Sequence, residues 1–284
     1  MIIAITGAGG FIGKQLVSFF QHKGYEVRTI QRIDAGTKAA EVARQLTGVH
    51  VIINLAGAPI INRWNAAYKK LLLNSRTTTT SKIVEAIELL DRKPELLISA
   101  SAVGIYSQEG KQTESNYKVA DDYLGEICTS WEAEAKKALP FTRVAIIRLG
   151  IVLGKNGGAL ARMLPLFKLG LGGPIASGKQ GFSWIHYADV IQAIQFIIEN
   201  KQVYGEFNFT APEVVDNSTF TRQLAKVLNR PAFFRVPALA LKVLFGEGAI
   251  AVTGGQFAPP EHLLEAGFQF KFPDLSSALK DITS

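Results

Sequence analysis

Thr6-Gly7-Ala8-Gly9-Gly10-Phe11-Ile12-Gly13 is the stretch that decides the fold of this 284-residue chain. The apolar run at residues 2–5 before it predicts a buried parallel strand. The apolar spacing of residues 11–20 after it predicts a helix that Gly24 ends in a left-handed conformation. Strand, glycine turn and helix in this order form the unit that binds a dinucleotide, with the phosphates at the helix N-terminus.

The three glycines at positions 7, 10 and 13 follow the spacing Gly-x-x-Gly-x-x-Gly. They allow a tight turn, a close approach of the backbone to a pyrophosphate, and packing of the helix on the strand. With the ends of the following strands and one helix, they give the expected cofactor-binding residues: Gly7, Gly10, Phe11, Ile12, Gly13, Gln31, Arg32, Leu55, Ala56, Gly57 and Arg76.

The end of the second strand indicates which dinucleotide is bound. An acidic residue is expected there if the ribose 2′-hydroxyl of NAD is recognised, but this chain has Gln31-Arg32. A guanidinium can pair with a 2′-phosphate and stack on adenine. Asp34 follows two residues later, past the end of the strand. The sequence therefore predicts NADP in preference to NAD.

Composition excludes several classes of protein. The 48% hydrophobic content and mean hydropathy of +0.16 predict a well-packed globular chain, and no apolar run is long enough to span a membrane. One cysteine and four scattered histidines predict neither a disulfide framework nor a metal site, and they suit the cytoplasm. Lysines and arginines, which give a net charge of +7, are spread along the chain without a basic arm or a recognition motif, so no nucleic-acid partner is expected. Without a spanning run, no membrane partner is expected either.

Strands alternate with helices from residue 1 to about residue 150, which predicts an α/β fold with a doubly wound parallel sheet of the Rossmann type. Residues 33–36 are too few for a third strand with its connections, so the sheet edge beside the second strand should be short or uncovered. We expect residues 1–154 to form the NADP-binding domain. Residues 155–284 should form a smaller C-terminal substrate lobe, with 183–210 returning to the first domain. A short strand is also predicted at residues 233–236.

Blocks of sequence along the whole chain resemble one family. They include Leu55-Ala56-Gly57, Ser75-Arg76, Trp131-Glu132, Ser183-Trp184-Ile185-His186 and Asn208-Phe209-Thr210-Ala211-Pro212. In this order they resemble the atypical extended short-chain dehydrogenases/reductases of the sugar-nucleotide epimerase-like group. The tail after Gly246 resembles that group's short C-terminal domain of unknown function.

The resemblance implies a catalytic set that this chain keeps only in part. Typical relatives use a Ser or Thr at the end of a central strand and a Tyr-x-x-x-Lys pair on the next helix. Ser101 stands at the serine position, but Leu124 and Cys128 stand at the tyrosine and lysine positions. Tyr106 and Tyr123 are the candidate substitutes for the missing tyrosine. A hydroxyl that holds a loop, for Ser101, and a packed aromatic ring, for Tyr106, are the structural alternatives.

Other polar residues have two interpretations each. Arg76 could bind the pyrophosphate or a ribose, or it could be a structural cation held by helix carbonyls. His186 is expected to be structural, and Asp189 is expected to cap the helix that starts beside it.

Two functions follow from these observations. The first is an NADP(H)-dependent epimerase or oxidoreductase acting on a nucleotide-sugar-like small molecule, as a monomer or homodimer. The second is an NADP(H)-binding regulatory or interaction protein with impaired catalysis. The missing Tyr-x-x-x-Lys pair favours the second, whereas the retained Ser101 favours the first.

Overall fold

A parallel sheet of six strands lies at the centre of the computed structural model, which describes residues 1–155 and 157–284. The strands of the described residues are β1 (Ile2–Thr6), β2 (Glu26–Thr29), β3 (Val51–Asn54), β4 (Leu96–Ala102), β5 (Arg143–Leu149), β6 (Ile151–Gly154), β7 (Gly181–Phe182), β8 (Trp184–His186), β9 (Gly205–Phe209) and β10 (Val215–Asp216). The order in the central sheet is β2-β1-β3-β4-β5-β9, with every pair parallel.

Helices connect the strands and cover the sheet. They are α1 (Phe11–His22), α2 (Ala39–Leu46), α3 (Ala66–Leu89), α4 (Tyr123–Lys136), α5 (Gly158–Lys168), α6 (Tyr187–Glu199), α7 (Asn217–Leu228), α8 (Ala238–Phe245), α9 (Ile250–Thr253), α10 (Glu261–Glu265) and α11 (Leu275–Thr283).

Each face of the central sheet carries its own apolar core. On one face, Leu16 and Phe20 of α1 and Val190 of α6 pack with Ile3 and Ile5 of β1. The second core, on the other face, joins α2, α3 and the end of α4 to the sheet, through side chains that include Val42, Ile83, Ile52, Leu97 and Ala135. Alternation along β1 sends neighbouring side chains to opposite cores, as a doubly wound sheet requires. The predicted fold class is confirmed.

The sheet edge beside β2 is short, as predicted. β2 has four residues and pairs with β1 alone among the described strands, and residues 33–36 form no strand there. The chain passes from β2 into α2 without forming a further strand, so β3 is the next strand in the sequence. β3 lies on the other side of β1.

The smaller lobe has its own core around Phe182, Trp184 and Phe220, over which α5, α7 and α11 pack. β7 and β10 pair antiparallel at this core, whereas β9 returns to the central sheet beside β5. The predicted strand at residues 233–236 is wrong. Val236 makes a single bridge to Ile175, and exposed side chains precede it, so the segment has β-propensity without a partner strand.

The expected cap of α6 is also wrong. His186, not Asp189, occupies the N-cap position, and its Nδ1 accepts a hydrogen bond from the amide of Ala188 at 3.2 Å. The carboxylate of Asp189 instead accepts from the amides of Lys271 and Phe272, which fastens the C-terminal segment to α6.

Candidate functional site

A cavity of about 920 Å³ lies where β1, β2 and β3 end. Five of the residues that the sequence predicts to bind the cofactor form part of its wall: Gly7, Gln31, Arg32, Ala56 and Gly57. The other residues of the wall were not among the predicted cofactor-binding residues: Thr6, Ala8, Gly9, Lys14, Val17, Ser18, Gln21, Thr29, Ile30, Ile33, Ala58, Pro59, Leu71, Ser75 and Thr79. Ligands of open α/β sheets bind at the carboxyl ends of the strands, so this cavity has the expected position.

At two positions of the loop only glycine fits, because neighbouring backbone atoms leave no room for a Cβ atom. Gly7 has a φ of +67°, and a Cβ there would lie 2.7 Å from the carbonyl oxygen of Leu55. A Cβ on Gly13 would lie 2.3 Å from the carbonyl oxygen of Gly7. Gly9 differs, since a Cβ there would meet no atom within 4 Å. The loop therefore brings α1 against β1 and β3 in a way that side chains would prevent.

The N-terminus of α1 suits an anion. Gly10 is its N-cap, no side chain of the described residues caps it, and its first turn holds no carboxylate. The free amides and the helix dipole therefore favour negative charge at the cavity. Lys14 adds a cation on the wall, one turn into the helix. The position of Lys14 relative to Gly10 was the signal that sequence reasoning overlooked.

Arg32 and Asp34 differ in what their side chains are free to do. Arg32 is exposed on the cavity wall, and no hydrogen bond holds its side chain among the described residues. Asp34 is engaged in its own turn, because Oδ1 accepts from the amide of Gly36 at 3.0 Å and from the hydroxyl of Thr37 at 3.2 Å. Arg28, four residues before Arg32, is paired with Glu26 and lies outside the cavity.

The remaining expected residues lie beside the cavity without forming its wall: Gly10, Phe11, Ile12, Gly13, Leu55 and Arg76. The ring of Phe11 lies against Gly154 and Gly157, where any Cβ would collide with it. This contact joins α1 to the loop that follows β6.

Arg76 is a largely buried cation of α3. It donates to the carbonyl oxygens of Leu72 at 3.0 Å and Ala58 at 2.9 Å, and its guanidinium lies 5.2 Å from the ring of Trp131. Burial lowers its pKa. The guanidinium also sits against Gly57, where an added Cβ would be 3.0 Å from Cζ. The side chain thus holds the segment after β3 to α3.

Ser101 lies at the end of β4 in a buried polar network. Its hydroxyl donates to Oε1 of Glu132 at 2.7 Å, and Glu132 forms a two-pronged ion pair with Arg148, at 2.8 and 2.9 Å. Arg148 also donates to the hydroxyl of Tyr106 at 2.8 Å, which in turn donates to Asn208 at 2.7 Å. Ser101 is only 2% exposed.

The two candidate tyrosines lie in different places. Tyr106 belongs to the network of Ser101 and is fully buried, and burial raises its pKa above the ordinary value. Tyr123 lies at the start of α4 against Trp64, and its hydroxyl donates to the carbonyl oxygen of Lys69 at 2.6 Å. Burial also raises the pKa of Tyr123. The structure therefore brings Ser101 and Tyr106 together and leaves Tyr123 apart.

One face of α4 carries Leu124, Cys128 and Glu132, each four residues from the next. Leu124 and Cys128 face Gly104, just past the end of β4. Burial raises the pKa of the Cys128 thiol to about 12, so the thiol stays neutral. Glu132 is the acidic group of this face, and the sequence pointed to it only as part of the Trp131-Glu132 block.

Comparison with known proteins identifies the family. The model of the NAD dependent epimerase/dehydratase family matches residues 3–209, and that of a domain of unknown function, DUF1731, matches residues 236–282. The chain belongs to the NAD dependent epimerase/dehydratase family. The predicted family resemblance, including the short C-terminal domain, is confirmed.

Relatives of this family member match it from end to end. It is 34% identical to the human epimerase family protein SDR39U1, and the match covers 100% of both chains. It is 39% identical to the chloroplastic SDR39U1 homolog of Arabidopsis thaliana, with 99% of this chain and 86% of that protein covered.

Solved structures agree with the fold. A crystal structure of human SDR39U1 with NADPH superposes with a TM-score of 0.92 at 34% identity, over 99% of each chain. UDP-glucuronic acid 4-epimerase from Bacillus cereus superposes with a TM-score of 0.78 at 18% identity, covering 99% of this chain and 98% of that one. At that identity the likeness extends to the fold alone. No helix in the described residues has the length and apolarity needed to cross a membrane.

Proposed function

We propose that this protein binds NADP(H) in the cavity at the ends of β1, β2 and β3. The observation that carries the proposal is Arg32 on the wall, with a side chain that nothing in the described residues engages, while Asp34 is engaged in its own turn. A 2′-phosphate beside Arg32 would gain charge-assisted hydrogen bonds, whereas a free ribose hydroxyl would find no carboxylate there. The crystal structure of the human relative with NADPH supports the same choice.

The rest of the site fits the same cofactor. The pyrophosphate would lie at the uncapped N-terminus of α1, where Gly7 and Gly13 keep Cβ atoms out of the way and Lys14 supplies a cation. When bound, the nicotinamide ring accepts or donates a hydride. The end of β4, with Ser101, is the side of the sheet toward which the nicotinamide half would extend.

The test is titration of the protein with NADPH and NADH. Wild type should bind NADPH more tightly than NADH. Arg32→Ala should remove most of this difference, because it should weaken the binding of NADPH by about 1–3 kcal/mol. Arg28→Ala is the matched control, since Arg28 lies on β2, four residues before Arg32, and outside the cavity. Equal affinity of wild type for the two cofactors would refute the assignment.

The reaction that best fits the family is epimerisation or oxidoreduction of a nucleotide-sugar-like small molecule. The resemblance supports it, as does a smaller lobe of the kind that holds substrates in extended relatives. Ser101 would orient the substrate oxygen, with Tyr106 or Tyr123 as a nonstandard acid or base. A metabolite screen tests this function, since oxidoreduction would consume or form NADPH, whereas epimerisation would form an isomer of the substrate with no net consumption of NADPH.

One observation favours the second candidate, an NADP(H)-binding regulatory or interaction protein. The hydroxyl of Ser101 is already donated to Glu132, and Leu124 and Cys128 carry no group that could replace a tyrosine and lysine. Under this function NADPH binds with the predicted selectivity, but no member of the metabolite set is oxidised, reduced or epimerised.

We further propose a cytoplasmic setting and a monomer or homodimer. The setting is supported by the single cysteine, Cys128, which is buried with a neutral thiol. Sedimentation analysis measures the oligomeric state, and fractionation of the host cells measures the location.

A further inference from the structure

The smaller lobe carries a concentrated positive charge. Residues 157–188 and 217–246 contain eight of the 31 lysines and arginines and none of the 24 aspartates and glutamates. The rest of the chain therefore holds 23 basic residues against 24 acidic ones and is close to neutral. Cations are spread along the whole sequence, but acids are missing from these two segments of the lobe, so the formal charge of +7 resides in the segments.

The same lobe exposes large apolar side chains. Phe233 is 85% exposed and Leu239 is 73% exposed, and Val243 and Leu244 of α8 are also mostly in solvent. None of the residues of α8, all of which the structure describes, is buried. Single exposed apolar residues are ordinary on a protein surface, but a contiguous group of them marks an interaction site.

Two segments of the lobe, one at the end of α5 and one just before α8, are held side by side. Arg230 donates to the carbonyl oxygen of Lys168 at 2.9 Å, and Val236 donates from its amide to Pro174 at 3.0 Å. Residues 168–174, which start at the end of α5 and include the exposed Leu169 and Leu171, therefore run along residues 230–236, which lead into α8.

Cations lie within the apolar surface rather than apart from it. On α5, Arg162 lies one turn before Leu166 on the same helix face, and on α8 Lys242 lies three residues after Leu239. We define the apolar-basic face as the exposed side chains of residues 162–171 and 230–244.

We propose that the apolar-basic face docks on the surface of an anionic phospholipid membrane. Apolar side chains that enter the interface, flanked by cations that meet anionic headgroups, are the two attractions by which a peripheral protein binds such a surface. No spanning segment is needed, so the expectation of no membrane partner, which rested on the lack of a spanning run, does not bear on this contact.

Other partners fit the face less well. A second copy in a two-fold interface would set this face, which has no acidic residue, against its own cations. A nucleic acid would use the cations but would leave the exposed phenylalanines and leucines in water. An anionic membrane surface uses both features.

The experiment is sedimentation of the full chain with vesicles of phosphatidylcholine, with and without phosphatidylglycerol. We expect binding to the anionic vesicles that falls as salt rises, and little binding to the neutral ones. Leu239→Gln with Val243→Gln should abolish most of the binding, and Arg162→Gln with Lys242→Gln should weaken it about 25-fold, at about fivefold per cation. Leu89→Gln, at another exposed apolar position, and Arg44→Gln with Arg92→Gln are the matched controls and should bind as wild type does.

All substituted positions are exposed, so circular dichroism should show wild-type folding for every variant. Failure of wild type to bind anionic vesicles at low salt would overturn the proposal, as would equal binding to neutral vesicles. A dimer in sedimentation analysis that the Leu239 and Val243 changes dissolve would also overturn it, because the face would then join two copies of the chain.

Discussion

The hydroxyl of Ser101 at the end of β4 donates a 2.7 Å hydrogen bond to Glu132, two helical turns along the face of α4 from Leu124. Where typical relatives have a tyrosine and lysine on that face, this chain has an apolar residue and a neutral thiol, followed by a carboxylate. Arg148 on the neighbouring strand β5 pairs with the carboxylate through two of its nitrogens. The position of the expected serine is thus tied to a buried ion pair.

Glu132→Gln should destabilise the fold strongly. The substitution leaves the Arg148 guanidinium buried without a charged partner. We therefore expect the free energy of unfolding to fall by about 3–5 kcal/mol. Replacing both partners, as Glu132→Leu with Arg148→Met, should cost less than Glu132→Gln, because no uncompensated charge remains. Denaturant titration measures all three proteins.

Glu26→Gln provides the control for that series. Glu26 pairs with Arg28 at the exposed sheet edge, where an ion pair contributes about 0–1 kcal/mol. If Glu132→Gln were no more destabilising than Glu26→Gln, the buried network would not hold β4, β5 and α4 together.

Gly13→Ala should abolish NADPH binding or weaken it severely. The added Cβ would lie 2.3 Å from the carbonyl oxygen of Gly7, so the loop must move away from α1. Gly9→Ala adds the same methyl group where no atom lies within 4 Å, and it should bind NADPH as wild type does. Isothermal titration of the two variants measures the contrast, and equal affinities would show that the loop does not form the binding surface.

The fold could be predicted from the sequence where elements are long and periodic. The strand, glycine turn and helix at residues 2–22 combine local signals that agree with one another, and the shortness of residues 33–36 excludes an edge strand. Strands of two residues, such as β7 and β10, carry too little periodicity to be recognised. The Phe-Phe-Arg-Val run at residues 233–236 has strand propensity, but tertiary pairing decides strands.

The candidate site could be predicted only in part, for a related reason. Arg32 and the glycines have local signatures, whereas Ser101, Glu132 and Arg148 come from three elements whose contact the sequence does not display. The cap of α6 shows the same limit. Asp189 is a common cap residue in a plausible place, yet the amides of residues 271 and 272, more than 80 positions away, take its carboxylate.

Turnover on ordinary alcohols and ketones of this superfamily should be low or undetectable. No lysine follows any tyrosine at the fourth position, and burial raises the pKa of both Tyr106 and Tyr123, so neither becomes a ready base at neutral pH. NADPH oxidation with ketones and NADP+ reduction with alcohols measure this. Strong activity would contradict the importance of the missing pair.

Once a substrate is found, three variants separate the candidate residues. Ser101→Ala and Tyr106→Phe, which share one network, should both slow the reaction, whereas Tyr123→Phe should have the smaller effect because its hydroxyl meets a backbone carbonyl. Thermal unfolding of each variant distinguishes lost chemistry from lost structure. Wild-type rates in all three variants would show that none of these residues has a catalytic role.

The last prediction concerns pH and His186. The imidazole is 1% exposed, with the ring of Phe272 4.0 Å away, and burial lowers its pKa from 6.5 to about 4 although Asp281 lies 3.3 Å away. The unfolded chain takes up a proton at His186 at a higher pH than the folded chain does. The stability that the neutral, buried imidazole contributes is therefore fully present above pH 6.5. It declines as the pH falls from 6.5 toward 4.

His186→Asn keeps a cap for α6 but cannot titrate. Between pH 7 and pH 5, wild type should lose about 2 kcal/mol more free energy of unfolding than this variant does. Denaturant titrations at the two pH values measure the difference in slope, which is independent of any constant loss caused by the smaller side chain. If the His186 variant kept the wild-type slope, protonation of the buried ring would not be what weakens the fold in acid.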